Sequence, residues 1–343
     1  MEAVLITLSA GLSSALVTWI LARAALKLLT AYNVVDRPGK RSSHEGNVPT
    51  GGGIAVIGVV VTGWMCLAFI SGTLGEIRII VAAAAVLAVI SFFDDVRHVP
   101  QLARLAAHVI AVTLGLALLP DSALLFDGLL PLWADRLATG LAWVWFINLF
   151  NFMDGIDGIT GVETIAVAGG LAAALLLMAP GESGDWSKAP LAAVLAGAGA
   201  GFLALNWHPA RLFLGDTGSV PLGYLLGWLL VWSACAAGLW WLALVLPLYY
   251  WADATLTLLV RGARGEKVWR AHRQHAYQVA VRAGASHADV AGFIALINLV
   301  LVLLALTATV RLMPVWSALT LAAVLAATAL WRLHHWPNDN AIE

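Results

Sequence analysis

The feature that most constrains this chain is a succession of apolar runs, each close to twenty residues long, joined by short polar connections. A helix needs about 20 apolar residues to cross the hydrocarbon of a bilayer. In lipid its backbone N–H and C=O groups must be satisfied within the segment itself. Runs near 3–22, 52–71, 77–93, 102–120, 136–152, 159–180, 189–206, 217–233, 238–259, 289–309 and 314–333 read as about eleven spanning helices. The stretch 217–259 is twice too long for one span, and it divides at Ala234–Gly238. Composition agrees, with 61% hydrophobic and 11% charged residues over 343, where ordinary globular proteins hold about 45–50% and about 25%. No soluble core of this length hides so much apolar surface. Disorder, collagen and disulfide scaffolds are excluded by the same figures. The expected fold is an all-α polytopic integral membrane protein, a single transmembrane domain over 1–343 that includes a long cytoplasmic loop at 260–288.

Orientation follows from the basic residues, which collect on the cytoplasmic side. With this numbering of spans, all of the 19 Lys and Arg except Arg78, Arg136, Lys188 and Arg311 fall on one face. The N-terminus is therefore expected outside and the C-terminus in the cytoplasm. The Met-Glu-Ala start lacks a basic n-region, so the first run reads as a retained anchor. A net charge of -1 points to no nucleic-acid partner. Cys66 and Cys235 lie in apolar runs without metal-ligand spacing and read as small hydrophobes.

The patterned polar residues lie on the cytoplasmic side. Asp94 and Asp95 end the third span, and two adjacent carboxylates at a membrane boundary call for a cation such as Mg²⁺, which prefers oxygen ligands. Asn148, Asn151, Asp154 and Asp157 are spaced by three with apolar residues between them, which on a helix places them along one drifting stripe. Asp216 sits in Gly215-Asp216-Thr217-Gly218-Ser219, where flanking glycines present a carboxylate on a tight turn. The loop after residue 260 holds His272, Arg273 and His275, groups that suit phosphate recognition. Lys40 and His44 precede Thr50-Gly51-Gly52-Gly53, whose glycines at a helix start would offer backbone N–H groups to an anion. Asp253, deep in an apolar run, is either functional or paired with a basic residue on a neighbouring span. Together these clusters suit joining a soluble, phosphate-bearing donor to a lipid-bound acceptor.

In this order, Asp94-Asp95, Asn148-x-x-Asn151-x-x-Asp154-Gly-x-Asp157-Gly, Gly215-Asp216-x-Gly-Ser219 and the histidine loop resemble the polyprenyl-phosphate N-acetylhexosamine-1-phosphate transferase superfamily, glycosyltransferase family 4. The resemblance implies Mg²⁺ as cofactor, with Mn²⁺ as its substitute. It implies Asp216 and Asp95 as metal ligands, Asp94 and Asp95 as the catalytic pair beside the metal and the lipid phosphate, and Asn151, Asp154 and Asp157 lining the nucleotide and pyrophosphate site, with Asn148 on the same stripe. His272, Arg273 and His275 would contact the sugar or its phosphates, with Lys40 and His44 as further substrate-binding candidates. The pattern His272-Arg-Gln-His275-Ala-Tyr-Gln resembles O-antigen initiators that use a 6-deoxy N-acetylhexosamine, and two departures are Thr50 before the glycines and Val-Arg-His after Asp95.

The expected reaction is attack of undecaprenyl phosphate on a UDP-N-acetyl sugar at the inner membrane of a bacterium, with a second copy of the chain as a candidate partner. The rival reading is an ion-coupled transporter, which the gathering of acids at the boundary rather than the midplane disfavours. CDP-alcohol phosphotransferases are disfavoured because Ile-Thr-Gly follows Asp157-Gly158.

Overall fold

A computed structural model describes residues 1–36, 47–97, 99–178, 186–269 and 272–337. The expected spans, 238–259 excepted, each correspond to one helix among α1 (Glu2–Ala31), α2 (Gly53–Ser71), α3 (Leu74–Arg97), α4 (Gln101–Leu116), α5 (Leu132–Phe152), α6 (Ile159–Met178), α7 (Ala189–Asn206), α8 (Asp216–Cys235), α9 (Trp240–Val245), α10 (Leu248–Ala263), α11 (Ala276–Arg282), α12 (His287–Thr309) and α13 (Val315–His334). Strands β1 (Val35–Asp36) and β2 (Val48–Pro49) form a short antiparallel pair between α1 and α2. Among the described residues, eight helices are long and apolar enough to cross a membrane: α1, α2, α3, α6, α7, α8, α12 and α13. The chain is a multi-pass membrane protein, almost wholly helical.

Two expectations need correction. The run 238–259 is not one helix but α9 and α10, broken at Leu246–Pro247. Proline has no N–H to donate and crowds the preceding turn, so the ladder stops there. The segment 260–288 is not a plain loop either, since α10 continues to Ala263 and α11 forms inside it.

Helix α8 is the axis of the bundle. It packs against α2, α3, α5, α6, α7 and α9, and 94% of its apolar window is buried, against 17% for α1 at the lipid-facing rim. Its aromatic residues interlock with those of its neighbours. Trp143 of α5 stacks on Tyr224 of α8 with ring centroids 5.1 Å apart, and its indole N–H donates to the Tyr224 carbonyl at 3.0 Å. Gly227 makes room for that ring, because a Cβ there would lie 2.4 Å from it.

Where two helices touch backbone to backbone, small residues decide the distance. On α7, a Cβ on Gly197 would come within 2.1 Å of the Gly11 carbonyl oxygen, and one on Gly201 within 2.2 Å of the Ala15 carbonyl oxygen of α1. Overpacking of this kind costs about 1–3 kcal/mol. Gly201→Ala should therefore lower the thermal unfolding midpoint in detergent by about 2–6 °C. Gly58→Ala, with open space around the new methyl group, should leave it unchanged. Equal midpoints for the two variants would show that α1 and α7 do not pack this closely.

Candidate active site

Three chain turns meet at one end of α8. Gly215, at φ 73°, turns the chain into the helix. Asp95, from the last turn of α3, caps that start: its carboxylate accepts the Thr217 hydroxyl at 2.7 Å and the backbone N–H groups of Asp216 and Thr217 at 3.3 Å. A carboxylate at a helix N-terminus satisfies orphan donors and complements the helix dipole. The third turn is Thr50–Gly53. Gly52 and Gly53 donate to the carbonyls of Phe213 and Leu214, both at 2.9 Å, and a Cβ on Gly53 would lie 2.3 Å from the Gly218 nitrogen. These glycines therefore join two chain segments, and the N–H groups of Gly52 and Gly53 are not free for an anion as their spacing had led us to expect.

The carboxylate of Asp216 stands beside this junction. Its Oδ1 accepts from the Asn151 amide at 2.8 Å, and the same amide nitrogen lies 2.9 Å from the Ser219 hydroxyl. Its Oδ2 faces the Arg104 guanidinium at 3.4 Å. Arg104 also forms an ion pair with Asp94, whose other oxygen accepts the Val99 N–H at 2.7 Å. Asp154, half-buried between α5 and α6, accepts the Thr160 hydroxyl at 2.6 Å. Burial pushes its carboxyl up to about 7, helped by the charges of Asp216 and Asp95 and opposed by the Thr160 bond. Arg104 is the residue that sequence reasoning missed, having been counted only toward orientation. Its place in the first turn of α4, shortly after Asp94-Asp95, was the available signal.

The stripe expected from Asn148 to Asp157 does not persist. Helix α5 ends at Phe152, so only Asn148 and Asn151 obey its periodicity. The Asn148 amide turns back onto the Val144 carbonyl at 2.7 Å. The Asp157 carboxylate is held by His208 at 2.6 Å, His287 at 3.2 Å and the Ala210 N–H at 3.1 Å. Burial alone would raise its pKa, but those partners hold it below the ordinary carboxylate range. Lys40 and His44 lie outside the described residues.

The histidine loop is tied down at several points. Asp253, buried in α10, accepts the Ala276 N–H at 3.0 Å, faces the His275 ring nitrogen at 3.3 Å and accepts the Tyr249 hydroxyl at 3.0 Å. Its partner is thus the loop itself, not a basic residue of another span. Tyr277 stacks on His275 and donates to the Phe152 carbonyl at 3.1 Å, which docks the loop against the end of α5. Gly155 is required there, since a Cβ would meet the Tyr277 hydroxyl at 2.1 Å. Arg261 is buried and binds Glu266, which also accepts from Gln274. His272 packs beside His275, with ring centroids 4.7 Å apart. Burial, followed by the nearby His275 and Arg261 side chains, pushes its pKa down to about 4, so at neutral pH it is an uncharged hydrogen-bonding group. Arg273, half-buried, sits between the two histidines in sequence.

Asp94, Asp95, Asp154 and Asp216 present only oxygen donors, the set that suits Mg²⁺. Arg104 is their cationic partner in the ion pairs described, so the cluster leaves negative charge that a divalent ion would offset. Removing Asp253 should release the loop. A hydrogen bond to a charged group is worth about 1.5–3 kcal/mol, so in Asp253→Ala the Ala276 amide should exchange with deuterium about 10–100 times faster. Unchanged exchange would show that the loop is held by other contacts.

A family model described as glycosyl transferase family 4 matches residues 77–234, the stretch that carries Asp94, Asp95, Asn151, Asp154 and Asp216. The chain is similar to a "Probable undecaprenyl-phosphate N-acetylglucosaminyl 1-phosphate transferase" of Bacillus subtilis (strain 168), 30% identical over 229 residues, which cover 61% of this chain and 57% of that protein. It is also similar to a "Phospho-N-acetylmuramoyl-pentapeptide-transferase" of Synechococcus sp. (strain RCC307), 35% identical over 243 residues and 63% of each chain. A "Decaprenyl-phosphate N-acetylglucosaminephosphotransferase" of Mycolicibacterium smegmatis is 29% identical over 238 residues, 63% of this chain and 57% of that one. The matched stretch thus spans about three-fifths of the length of these relatives. With the family match lying on the acid-bearing turns, the chain is similar, over that stretch, to the polyprenyl-phosphate hexosamine-1-phosphate transferases of glycosyl transferase family 4.

Proposed function

We propose that the protein transfers an N-acetylhexosamine-1-phosphate from a UDP-sugar to undecaprenyl phosphate, releasing UMP and starting a cell-surface polysaccharide such as an O-antigen. The observation that carries this reading is the meeting of Asp216, Asn151, Asp95 and the Arg104–Asp94 pair from four helices at one end of the bundle. With a divalent ion bound, such a site would suit phosphate groups at a lipid boundary. The basic residues gathered on that side of the sequence favour a cytoplasmic site in the bacterial inner membrane, with the N-terminus outside.

In the proposed reaction an oxygen of the lipid phosphate attacks the β-phosphorus of the donor. The bond from that phosphorus to the bridging oxygen breaks, and UMP leaves with the electron pair. Mg²⁺, when bound, would supply electrostatic stabilisation of the donor pyrophosphate. The chain's own residues do the rest. Asp216 and Asp154 would hold the ion, while Asp95 keeps Asp216 at the head of α8 through its hydrogen bonds to Thr217. Asn151 orients the Asp216 carboxylate. Arg104 can turn from Asp94 to an incoming phosphate, for which its planar fork is suited. Asp94 would then orient the lipid phosphate, or take its proton. His272, Arg273 and His275 would read the sugar or its phosphates, and the loop pattern favours a 6-deoxy sugar such as N-acetylfucosamine or N-acetylquinovosamine, with N-acetylglucosamine as the other donor.

The test is UMP release by purified protein supplied with undecaprenyl phosphate, Mg²⁺ and each of the three UDP-sugars. Lipid-dependent UMP is expected, and the fastest donor names the sugar. Release that does not depend on the lipid would overturn the reading, as would proton-driven uptake into proteoliposomes without UMP. Asp216→Asn should remain folded and lose at least about 100-fold in rate at any Mg²⁺ concentration, the scale of a lost electrostatic element. Full activity would remove Asp216 from the metal site. Arg104→Gln should lower kcat about 10-fold or more, and a normal kcat would assign Arg104 to structure alone.

A further inference from the structure

Glu163 lies in the second turn of α6 and is wholly buried. The transferase reading gives it no task. An ionisable side chain inside a membrane is costly and calls for a partner, yet among the described residues no cation reaches this one. Its partner is Asn298 of α12, itself buried, whose amide nitrogen donates to Glu163 Oε2 at 2.7 Å.

The same pair holds two atoms that this bond leaves unanswered. Glu163 Oε1 and Asn298 Oδ1 are both buried without a hydrogen-bond partner. A carboxylate oxygen and an amide carbonyl oxygen only accept, so with Glu163 ionised neither can answer the other. The bundle would then hold a charge and two unsatisfied acceptors out of water, which is expensive. A carboxylic acid has one O–H to donate. With its proton on Oε1, Glu163 donates to Asn298 Oδ1 while Oε2 keeps the bond it receives. A single proton thus satisfies both atoms and removes the charge.

This pair ties α6 to α12 close to where α6 meets the acid cluster. Thr160, three residues before Glu163, shares its side of the helix. The Thr160 hydroxyl donates to Asp154 at 2.6 Å, and the Thr164 hydroxyl donates to the Thr160 carbonyl at 2.7 Å. The buried Tyr250 hydroxyl of α10 stands beside both Thr160 and Glu163. Asp154 is therefore placed by the head of α6, and the head of α6 by its bond to α12.

We propose that Glu163 is a positioning residue: held as an uncharged acid against Asn298, it fixes the head of α6 and, through Thr160, the Asp154 carboxylate. The role of Asp154 as a metal ligand rests on the transferase reading, whereas the state of Glu163 does not. Infrared spectra of the full-length protein at neutral pH should show the carbonyl stretch of a protonated carboxyl, and Glu163→Gln should remove it. Mn²⁺ binding, followed by the electron paramagnetic resonance of the free ion, tests the link to Asp154. Glu163→Leu should weaken it at least about 10-fold, the scale for groups that orient a metal ligand. Glu163→Gln, which keeps an uncharged donor and acceptor, should bind Mn²⁺ as wild-type protein does. The absence of the infrared band would overturn the proposal, as would equal weakening by Gln and Leu or full affinity in Glu163→Leu. Should the Leu variant fail to fold, weak Mn²⁺ binding by the folded Gln variant would overturn it in the same way. Wild-type protein that binds no Mn²⁺ would instead sink the metal reading of Asp154, with the infrared band still deciding the state of Glu163. Since neither measurement uses UMP release, failure of the proposal and failure of the transferase reading are told apart.

Discussion

Four carboxylates brought to one end of a lipid-embedded bundle repel each other, and much of this fold can be understood as the means of holding them. The first tie is Asp95, whose carboxylate caps α8 from the end of α3 through hydrogen bonds with Thr217 and the head of the helix. The second is Arg104, shared between Asp94 and Asp216. Buried ionic groups need such partners, because the desolvation of a lone charge exceeds what most folds can offset. Once α3, α4 and α8 are joined in this way, Asn151 of α5 completes the ring through Asp216 and Ser219.

Glycine has a different use here from the one its position implied. At Gly53 and Gly218 it allows two backbones to meet, and at Gly155 it admits the Tyr277 hydroxyl. The close joints form the frame into which the histidine loop settles. Tyr277 reaches the end of α5 while Asp253 holds the first turn of α11. An acid deep in an apolar run thus serves to place a loop distant from it in sequence. The loop and the acid cluster share the end of α5 as a common wall.

Much of the architecture was legible because lipid imposes it. A run of apolar residues in hydrocarbon has to become helix to satisfy its backbone, so the element list followed from hydropathy with few exceptions. The break at Pro247 was visible as a proline, but its consequence depended on whether neighbours would restore the lost bond. The pairing of Asp94-Asp95 with Gly215-Asp216 was legible as shared side and shared chemistry, not as contact.

What the sequence by itself determined is the helical, multi-pass character of the chain, the family that its ordered acid motifs resemble, and the set of residues from which a site is built. Only the tertiary structure decided how those residues are divided. Asn151 and Asp216 face each other, Asn148 folds back on its own helix, and Asp157 turns to His208 and His287. Spacing along a chain predicts neighbours only while the helix lasts. Past Phe152 the backbone leaves its period, and a carboxylate goes to whichever donors the packing of distant segments brings within hydrogen-bonding reach.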